Sequence, residues 1–398
     1  MALSELPLGY CTNVHPGQSV AEVLAGLDRY AVPVMRAVAR PIAVGLWFAK
    51  PVVDELLADP AGLARFADQL AARGLTCHTL NAFPYGDFHA ARVKENVYLP
   101  DWSQPERLTY TAECAATLAA LLPHGTEGSI STLPLGFKGF AHPANFEETC
   151  IQNLIACAGW FERVQRETGR TIRLAIEPEP FCLLETTAEA IAFFERLWKA
   201  AGTQEALVRR HIGLCYDVCH QAVEFENIAD SVSALDRAGV RINKVQISCA
   251  IQLDDPRRNR DGIEALHRYV EPRYLHQTFA RTADGRVSKA VDLTASLLDS
   301  PPLEFAEAAC WRVHFHVPVD AERIGPLNTT RPALTEALTA IGKLDYAPHL
   351  EVETYTWEVL PGAEPADLAM GLAREIAATQ QIVDRIREPN PRASAPTH

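Results

Sequence analysis

The sequence predicts an α/β fold of the (β/α)₈ barrel class, the TIM barrel, because strand-like and helix-like segments alternate along its 398 residues. Four apolar runs, each ending in an acid or a histidine, carry the main evidence. Such runs are typical of parallel strands whose outer face is covered by helices. They are Leu174–Glu179, Leu214–His220, Val313–Val317 and Leu350–Thr354. Since barrel strands all end at one mouth, these polar ends predict one shared functional site.

The pattern predicts nine strands separated by amphipathic helices, and helices 60–73 and 145–168 end at Gly74 and Gly169. The predicted strands are Leu8–Thr12, Ile42–Phe48, Leu75–Asn81, Ser129–Leu135, Ile172–Glu177, Ile212–Asp217, Asn243–Ser248, Val313–Val317 and Leu350–Thr354. The other predicted helices cover 19–38, 105–122, 187–201, 228–238, 333–341 and 367–387. A closed barrel needs eight strands. We therefore expect Val313–Val317 to be the extra one, either extending the seventh-strand site or added to the sheet.

The domain organisation follows from the same alternation. We expect a single barrel domain over residues 1–387, with an insertion at about 250–310 before the last strands and a C-terminal helix. Residues 388–398 are polar and rich in proline, which predicts a disordered tail.

Composition excludes several function classes. The formal charge of -13 argues against sequence-independent nucleic-acid binding, which depends on a surplus of Lys and Arg. The N-terminus lacks the basic and apolar segments of a signal peptide, and no apolar stretch is long enough to span a membrane. The ten cysteines show no paired CxxC spacing, so we expect reduced, buried thiols and a cytoplasmic protein.

Strand parity predicts which polar side chains face the mouth, because alternate side chains of a strand point to opposite faces. Glu177 shares a face with Ala175, Gln246 with Ser248, and His314 with His316. Carboxylates combined with imidazole or amide ligands suit Mn²⁺, Mg²⁺, Fe²⁺ or Zn²⁺. The predicted metal ligands are Glu177, Asp217, Gln246, His316 and Glu353.

The order of these residues resembles that of the xylose-isomerase-like TIM barrels, a superfamily that includes sugar isomerases and epimerases. Glu177 stands at the fifth strand end, Asp217-Val-Cys-His220 at the sixth and Glu353 at the last. The resemblance implies that Glu177, Asp217 and Glu353 bind a divalent metal and that His220 contacts substrate. The superfamily's seventh-strand histidine has no match in Lys244–Ser248, so either Gln246 or His316 would replace it.

Five further segments resemble the EboE family of metabolite traffic proteins, and this resemblance covers nearly the whole chain. It implies a place in a pathway that makes and exports a metabolite, without an established reaction. The segments are Leu8–Gly17, Asn81–Gly86, Ile130–Leu135, His314–Pro318 and His349–Trp357.

The sequence therefore favours a metal-dependent isomerase or epimerase that acts on a small sugar, cyclitol or polyol, with or without a phosphate. A dehydratase or hydrolase on the same barrel, or a metabolite carrier without turnover, is the alternative. A homo-oligomer or a partner from the same pathway also stays open. The predicted catalytic residues are Glu177, His220, His316 and Glu353. The predicted substrate-binding residues are Asn81, Tyr85, His89, Glu179, His314 and Glu351, with Asn13 and His15 as further candidates.

Several of these side chains also have purely structural interpretations. Glu177 and Asp217 could be salt-bridge partners, and Gln246 could be a satisfied polar core residue. Either histidine of the His314-Phe-His316 pair could cap a neighbouring carbonyl, and Glu351 could support its neighbour through an ion pair.

Overall fold

A computed structural model describes residues 3–362 and 368–388, and within these ranges the chain forms fourteen strands. Eight of them close a parallel barrel in the order β1-β2-β3-β4-β5-β6-β7-β14, with β14 pairing back onto β1. The strands are β1 (Gly9–Cys11), β2 (Ala43–Trp47), β3 (Thr79–Asn81), β4 (Gly128–Thr132), β5 (Ile172–Ile176), β6 (Ile212–Asp217), β7 (Ile242–Ile247), β8 (Ile251–Asp254), β9 (Thr278–Arg281), β10 (Val287–Ala290), β11 (Cys310–Val313), β12 (Arg323–Ile324), β13 (Leu327–Thr329) and β14 (His349–Val352). The closed barrel confirms the predicted fold class.

Helices cover the outside of the barrel, and the described ranges contain fifteen α-helices. They are α1 (Val20–Gly26), α2 (Val32–Val38), α3 (Lys50–Ala58), α4 (Pro60–Ala72), α5 (Pro105–Leu121), α6 (Phe146–Thr168), α7 (Thr187–Ala201), α8 (Glu205–His211), α9 (Val218–Val223), α10 (Ile228–Arg237), α11 (Arg260–Leu266), α12 (Ala295–Asp299), α13 (Leu303–Ala306), α14 (Arg331–Ile341) and α15 (Leu368–Arg387). A π-helical turn at Leu27–Ala31 joins α1 to α2, so residues 20–38 are continuously helical, as predicted. None of the described helices combines the length and apolar character needed to cross a membrane.

The segment between β7 and β14 builds a second sheet, which is mainly antiparallel. Its six strands lie in the order β10-β9-β11-β8-β13-β12. β11 forms its centre and pairs antiparallel with both β8 and β9. The inserted structure therefore continues to Thr329, beyond the predicted limit near residue 310.

The prediction of a strand at Val313–Val317 is wrong. The strand runs over Cys310–Val313, and its two antiparallel neighbours place it in the second sheet and not in the barrel. Residues 314–317 follow it without regular structure and return to the mouth, where the Val317 N–H donates to the Cys249 carbonyl. This arrangement removes the ninth strand from the barrel.

Most other boundaries differ from the prediction by one to three residues. The strand predicted at Leu75–Asn81 pairs regularly only from Thr79, because Thr76 makes an isolated bridge to Ala43. Helix α3 was not predicted. Glycine ends α6 as expected, since Gly169 adopts φ +70° and donates its N–H to the Gln165 carbonyl. The predicted disordered tail lies outside the described residues apart from Glu388.

Candidate active site at the barrel mouth

The C-terminal ends of three barrel strands bring three carboxylates together. Glu177 follows β5, Asp217 ends β6, and Glu353 follows β14. One oxygen of each carboxylate lies within 4.8 Å of the others, and all three side chains are buried. Burial and mutual repulsion raise the pKa of Glu177 well above its ordinary value and that of Glu353 to about 8. Such a cluster is costly unless a cation balances it.

Several polar atoms around this cluster have no hydrogen-bond partner among the described residues. They include Glu177 Oε2, Asp217 Oδ2 and His316 Nε2. Because buried polar atoms are nearly always hydrogen-bonded, unpaired atoms gathered at one point indicate a missing ligand. In the third carboxylate, Glu353 Oε1 is already held, because it accepts from the side-chain amides of Asn13 and Asn81 at 2.8 and 2.9 Å.

His316 completes this group from the inserted segment. Its Nδ1 donates to the Glu353 backbone carbonyl at 2.8 Å, which fixes the ring and leaves Nε2 with a free lone pair. That Nε2 lies 3.9 Å from Asp217 Oδ2. Burial lowers the pKa of His316 to about 4, so the ring is neutral and able to bind a metal. The extended chain after β11 thus brings an imidazole to the mouth that the barrel strands themselves do not provide.

The end of β7 carries Gln246 and Ser248 instead of a histidine. Gln246 is fully buried in register with Asp217 and Glu351, and neither atom of its amide has a partner among the described residues. Ser248 lies two residues further along the chain, closer to the mouth, and its hydroxyl donates to Asp217 Oδ1 at 2.8 Å. The His220 N–H donates to the same oxygen at 2.9 Å. Asp217 is therefore oriented by two donors, with its other oxygen left free.

A pair of histidines lies beside the carboxylates. His220 Nδ1 donates to the Pro178 carbonyl at 2.9 Å, and His314 Nδ1 donates to Gln277 Oε1 at 2.7 Å. The amide orientation of Gln277 follows from its Nε2, which faces the Pro180 carbonyl at 3.3 Å. The two Nε2 atoms of the histidines consequently face each other at 3.1 Å. A hydrogen bond between them requires one extra proton, so the pair can hold a proton next to the site.

A cavity with an empty volume of about 520 Å³, including its opening, lies above these groups. Its polar floor consists of Asn13, Asn81, Glu177, Glu179, His220, His314, His316 and Glu353. Its apolar wall consists of Phe83, Pro84, Phe88, Val93, Val97, Tyr98, Tyr274, Leu275 and Tyr355, and Lys94 also lines the cavity. Most of the predicted site residues therefore belong to one concave surface.

Three predicted substrate-binding residues do not line this cavity. Glu351 points into the barrel below it and forms an ion pair with Lys244 at 2.7 Å, with both side chains fully buried. Tyr85 packs against Tyr110 on the outer side of its loop, with ring centroids 5.1 Å apart. His89 lies behind Asn13 and donates its Nε2 proton to the backbone carbonyl of Asn13 at 2.8 Å. These positions correct the expectation that all three side chains reach the substrate directly.

Of the two further candidates, Asn13 lines the cavity, whereas His15 packs edge-on against Tyr10 with ring centroids 5.5 Å apart. Gln246 and Asp217 lie at the base of the site without lining the cavity itself. The neighbours of Asp217 therefore separate its side chain from a molecule bound in the cavity.

Sequence reasoning also missed residues that support the site. Lys244 shares a strand face with Gln246, and a lysine within an apolar strand is the signal that could have identified it. Glu375 on α15 is fully buried and accepts hydrogen bonds from Thr354, Trp357 and the Val319 N–H. A glutamate on the apolar stripe of an amphipathic helix is the sequence feature that could have identified it.

No protein-family model matches this chain, and no curated protein matches it by sequence. Solved structures do match its fold. A xylose isomerase-like TIM barrel protein from Mycobacterium smegmatis in complex with magnesium is 10% identical, with a TM-score of 0.52 over 97% of this chain and 99% of the other. The IOLI protein with a bound zinc atom is 11% identical, with a TM-score of 0.50 over 96% and 99%. An L-ribulose 3-epimerase is 16% identical, with a TM-score of 0.50 over 99% of both chains. The chain therefore has the fold of the xylose-isomerase-like TIM barrels.

Proposed function

We propose that this protein is a divalent-metal-dependent isomerase or epimerase that acts on a small sugar, cyclitol or polyol. The observation that carries the proposal is the buried group of Glu177, Asp217, Glu353 and His316, whose unpaired atoms converge at the mouth of the barrel. Neighbours with this fold include an L-ribulose 3-epimerase and proteins with bound zinc or magnesium, which supports the same interpretation.

The donor atoms fit a divalent cation. Three carboxylate oxygens together with one neutral imidazole nitrogen suit Mn²⁺, Fe²⁺ or Zn²⁺. Mg²⁺ could be coordinated by the carboxylate oxygens. The two lysines near the site do not supply the missing charge, because Lys244 is paired with Glu351 and Lys94 with Asp292. Glu177, Asp217, His316 and Glu353 would hold the ion, and Gln246 lies beneath them with an unpaired amide.

When bound, such an ion would polarise a substrate carbonyl and the neighbouring hydroxyl, which would acidify the proton on the carbon that carries this hydroxyl. Glu177 and Glu353 project from β5 and β14, which are three strands apart around the barrel, into the same cavity. Burial and repulsion raise the pKa of both carboxyls, to about 8 for Glu353, which favours the uptake of a proton. Two carboxyls on either side of a bound substrate can remove a proton from one face and return one to the other, which is the requirement for epimerisation.

The histidine pair supplies a route for hydroxyl protons. His220 and His314 both line the cavity floor, and their contact holds a proton only when one ring is an imidazolium. Burial lowers the pKa of His314 well below its ordinary value, so the pair releases that proton readily. In this proposal His220 and His314 serve the substrate hydroxyl, while the two glutamates serve the carbon.

The assignment of the protein to a pathway rests on the sequence. The segments resembling the EboE family support a role in a pathway of metabolite synthesis and export, which we propose without a specific substrate. The ten cysteines are all free and buried, which agrees with a reducing compartment such as the cytoplasm.

Metal analysis and solvent exchange test the proposal. Purified protein should bind a divalent ion and gain thermal stability from Mn²⁺, Mg²⁺ or Zn²⁺. In deuterated water, the metal-loaded protein should place deuterium beside the carbonyl of at least one ketose in a panel of ketopentoses and ketohexoses. Glu177→Gln and Asp217→Asn should abolish the exchange, whereas Glu304→Gln, an exposed change on α13, should not. Protein that neither binds metal nor responds to it in a melting experiment would contradict the site.

A further inference from the structure

A single buried carboxylate on the outer helix α15 holds two separate segments of the chain behind the mouth. Glu375 is fully buried. Its Oε2 accepts from the Thr354 hydroxyl at 2.5 Å and from the Val319 N–H at 3.2 Å, and its Oε1 accepts from the Trp357 indole N–H at 2.8 Å. Thr354 and Trp357 belong to the segment after β14, whereas Val319 belongs to the segment after β11. The carboxylate therefore crosslinks the two segments.

Each of these segments carries a residue of the proposed metal-binding group. Glu353 immediately precedes Thr354, and His316 lies three residues before Val319. The segments are also joined beside these two residues, because His316 Nδ1 donates to the Glu353 carbonyl at 2.8 Å and the Thr356 hydroxyl donates to the His316 carbonyl. The carboxylate on α15 thus closes a network that fixes His316 and Glu353 relative to each other.

The packing of α15 allows this network to form. A Cβ at Gly371 would lie 2.2 Å from Trp357 Cη2, so the indole ring can lie against the helix only because residue 371 is a glycine. Gly371 is about one turn before Glu375, which places the indole N–H next to the carboxylate. The helix in turn packs against α2 and α14, so the carboxylate projects from an element of the outer layer of the barrel.

We propose that Glu375 is a positioning residue for the metal-binding group, which it serves by holding the segments of His316 and Glu353 together. Ligands that are held in place before the ion arrives bind it more tightly, and removing a partner behind a ligand typically weakens metal binding by about 10- to 100-fold. This inference rests on the proposed function, because it takes His316 and Glu353 as metal ligands.

The Zn²⁺ affinity of the full-length protein, measured by competition with a chelator, provides the test. Glu375→Gln keeps the shape of the side chain, but its single acceptor oxygen cannot replace both carboxylate oxygens, so at least one donor loses its acceptor. This variant should bind Zn²⁺ about tenfold or more weakly than the wild type. Thr354→Val removes one donor and should weaken Zn²⁺ binding about threefold or more. Thr354→Ser keeps the hydroxyl and should bind Zn²⁺ as the wild type does.

Ile382→Ala is the control for an effect of stability alone. Ile382 is buried on the same helix about two turns after Glu375, and its apolar side chain takes no part in the hydrogen bonds of the network. Its Zn²⁺ affinity should stay within about twofold of that of the wild type, in buffer without denaturant where circular dichroism shows each variant to be folded.

Three outcomes overturn the proposal. They are an unchanged Zn²⁺ affinity in Glu375→Gln, an equal loss of affinity in Glu375→Gln and Ile382→Ala, and equal Zn²⁺ binding by Thr354→Val and Thr354→Ser. The two Thr354 variants decide the matter if Glu375→Gln does not fold. Wild-type protein that binds no Zn²⁺ overturns the proposed function instead.

Discussion

The buried ion pair beneath the site gives the sharpest stability prediction. Lys244 Nζ lies 2.7 Å from Glu351 Oε2, and both side chains are fully buried inside the barrel. The lysine also donates to the Leu80 carbonyl at 3.3 Å and to the Ser131 hydroxyl at 3.2 Å. Gly45 makes room for the acid, since a Cβ there would lie 1.2 Å from Glu351 Oε1. Glu351→Gln removes the negative charge with almost no change in shape.

The expected loss follows from the distance and the burial. At an effective dielectric constant of about 20, two charges this far apart attract by about 6 kcal/mol. Part of this attraction offsets the cost of burying both groups, and breaking a buried pair at one partner typically costs about 3–5 kcal/mol. We expect the free energy of unfolding of Glu351→Gln to fall by that amount, because Lys244 remains as an unpaired buried charge.

Urea unfolding followed by tryptophan fluorescence, in EDTA so that metal binding does not contribute, measures this loss. The matched control is Glu167→Gln, which breaks an exposed pair with Arg163 at 2.8 Å and should cost less than about 1 kcal/mol. Replacing both partners, in Lys244→Met with Glu351→Leu, should recover much of the loss because no unpaired charge is left. A cost for Glu351→Gln as small as that of the control would refute the reasoning.

Three further predictions concern the mouth and its support. Burial, with repulsion from Asp217 and Glu351, raises the pKa of Glu353 from 4.5 to about 8. Between these two pH values the metal-free native protein therefore binds more protons than the unfolded chain, so its melting temperature should fall as the pH rises. Glu353→Gln or excess Mn²⁺ should reduce this dependence of the melting temperature on pH. His316→Gln should weaken Zn²⁺ binding by about tenfold or more, measured by competition with a chelator. The same measurement on Gln246→Leu shows whether the Gln246 amide, and not the His316 imidazole, is the fourth donor. Glu375→Ala should lower the free energy of unfolding by about 2–4 kcal/mol in urea, because three buried donors lose their acceptor; a loss below about 1 kcal/mol would contradict this.

The sequence was sufficient for the barrel and for the carboxylates because both depend on local pattern. A parallel strand covered by helices is apolar along its length, and its last polar residue marks where it leaves the barrel. Glu177, Asp217 and Glu353 follow that rule, and the structure brings all three together. Strand parity also places Gln246 on the face shared with Asp217 and Glu351, where the register sets it.

Residues on loops and on distant elements could not be placed by the same rule. Tyr85 and His89 follow a barrel strand closely in sequence, yet loop geometry turns them away from the cavity, and strand parity does not extend into a loop. Glu375 on the final helix contacts the segment that follows Glu353, so only its position on an apolar stripe distinguishes it in the sequence. Lys244 and Glu351 show the opposite case, since parity correctly puts both inside the barrel but does not tell which charges pair.

The His314-Phe-His316 segment explains why this site departs from the pattern of its barrel. β7 ends without a histidine, and the hydroxyl of the following Ser248 contacts Asp217 Oδ1. The imidazole arrives instead from β11, which belongs to the second sheet, and is fixed by the Glu353 carbonyl. The same connection places His314 against His220, with the two Nε2 atoms 3.1 Å apart. The inserted segment thus contributes side chains both beside the carboxylate cluster and to the lining of the cavity.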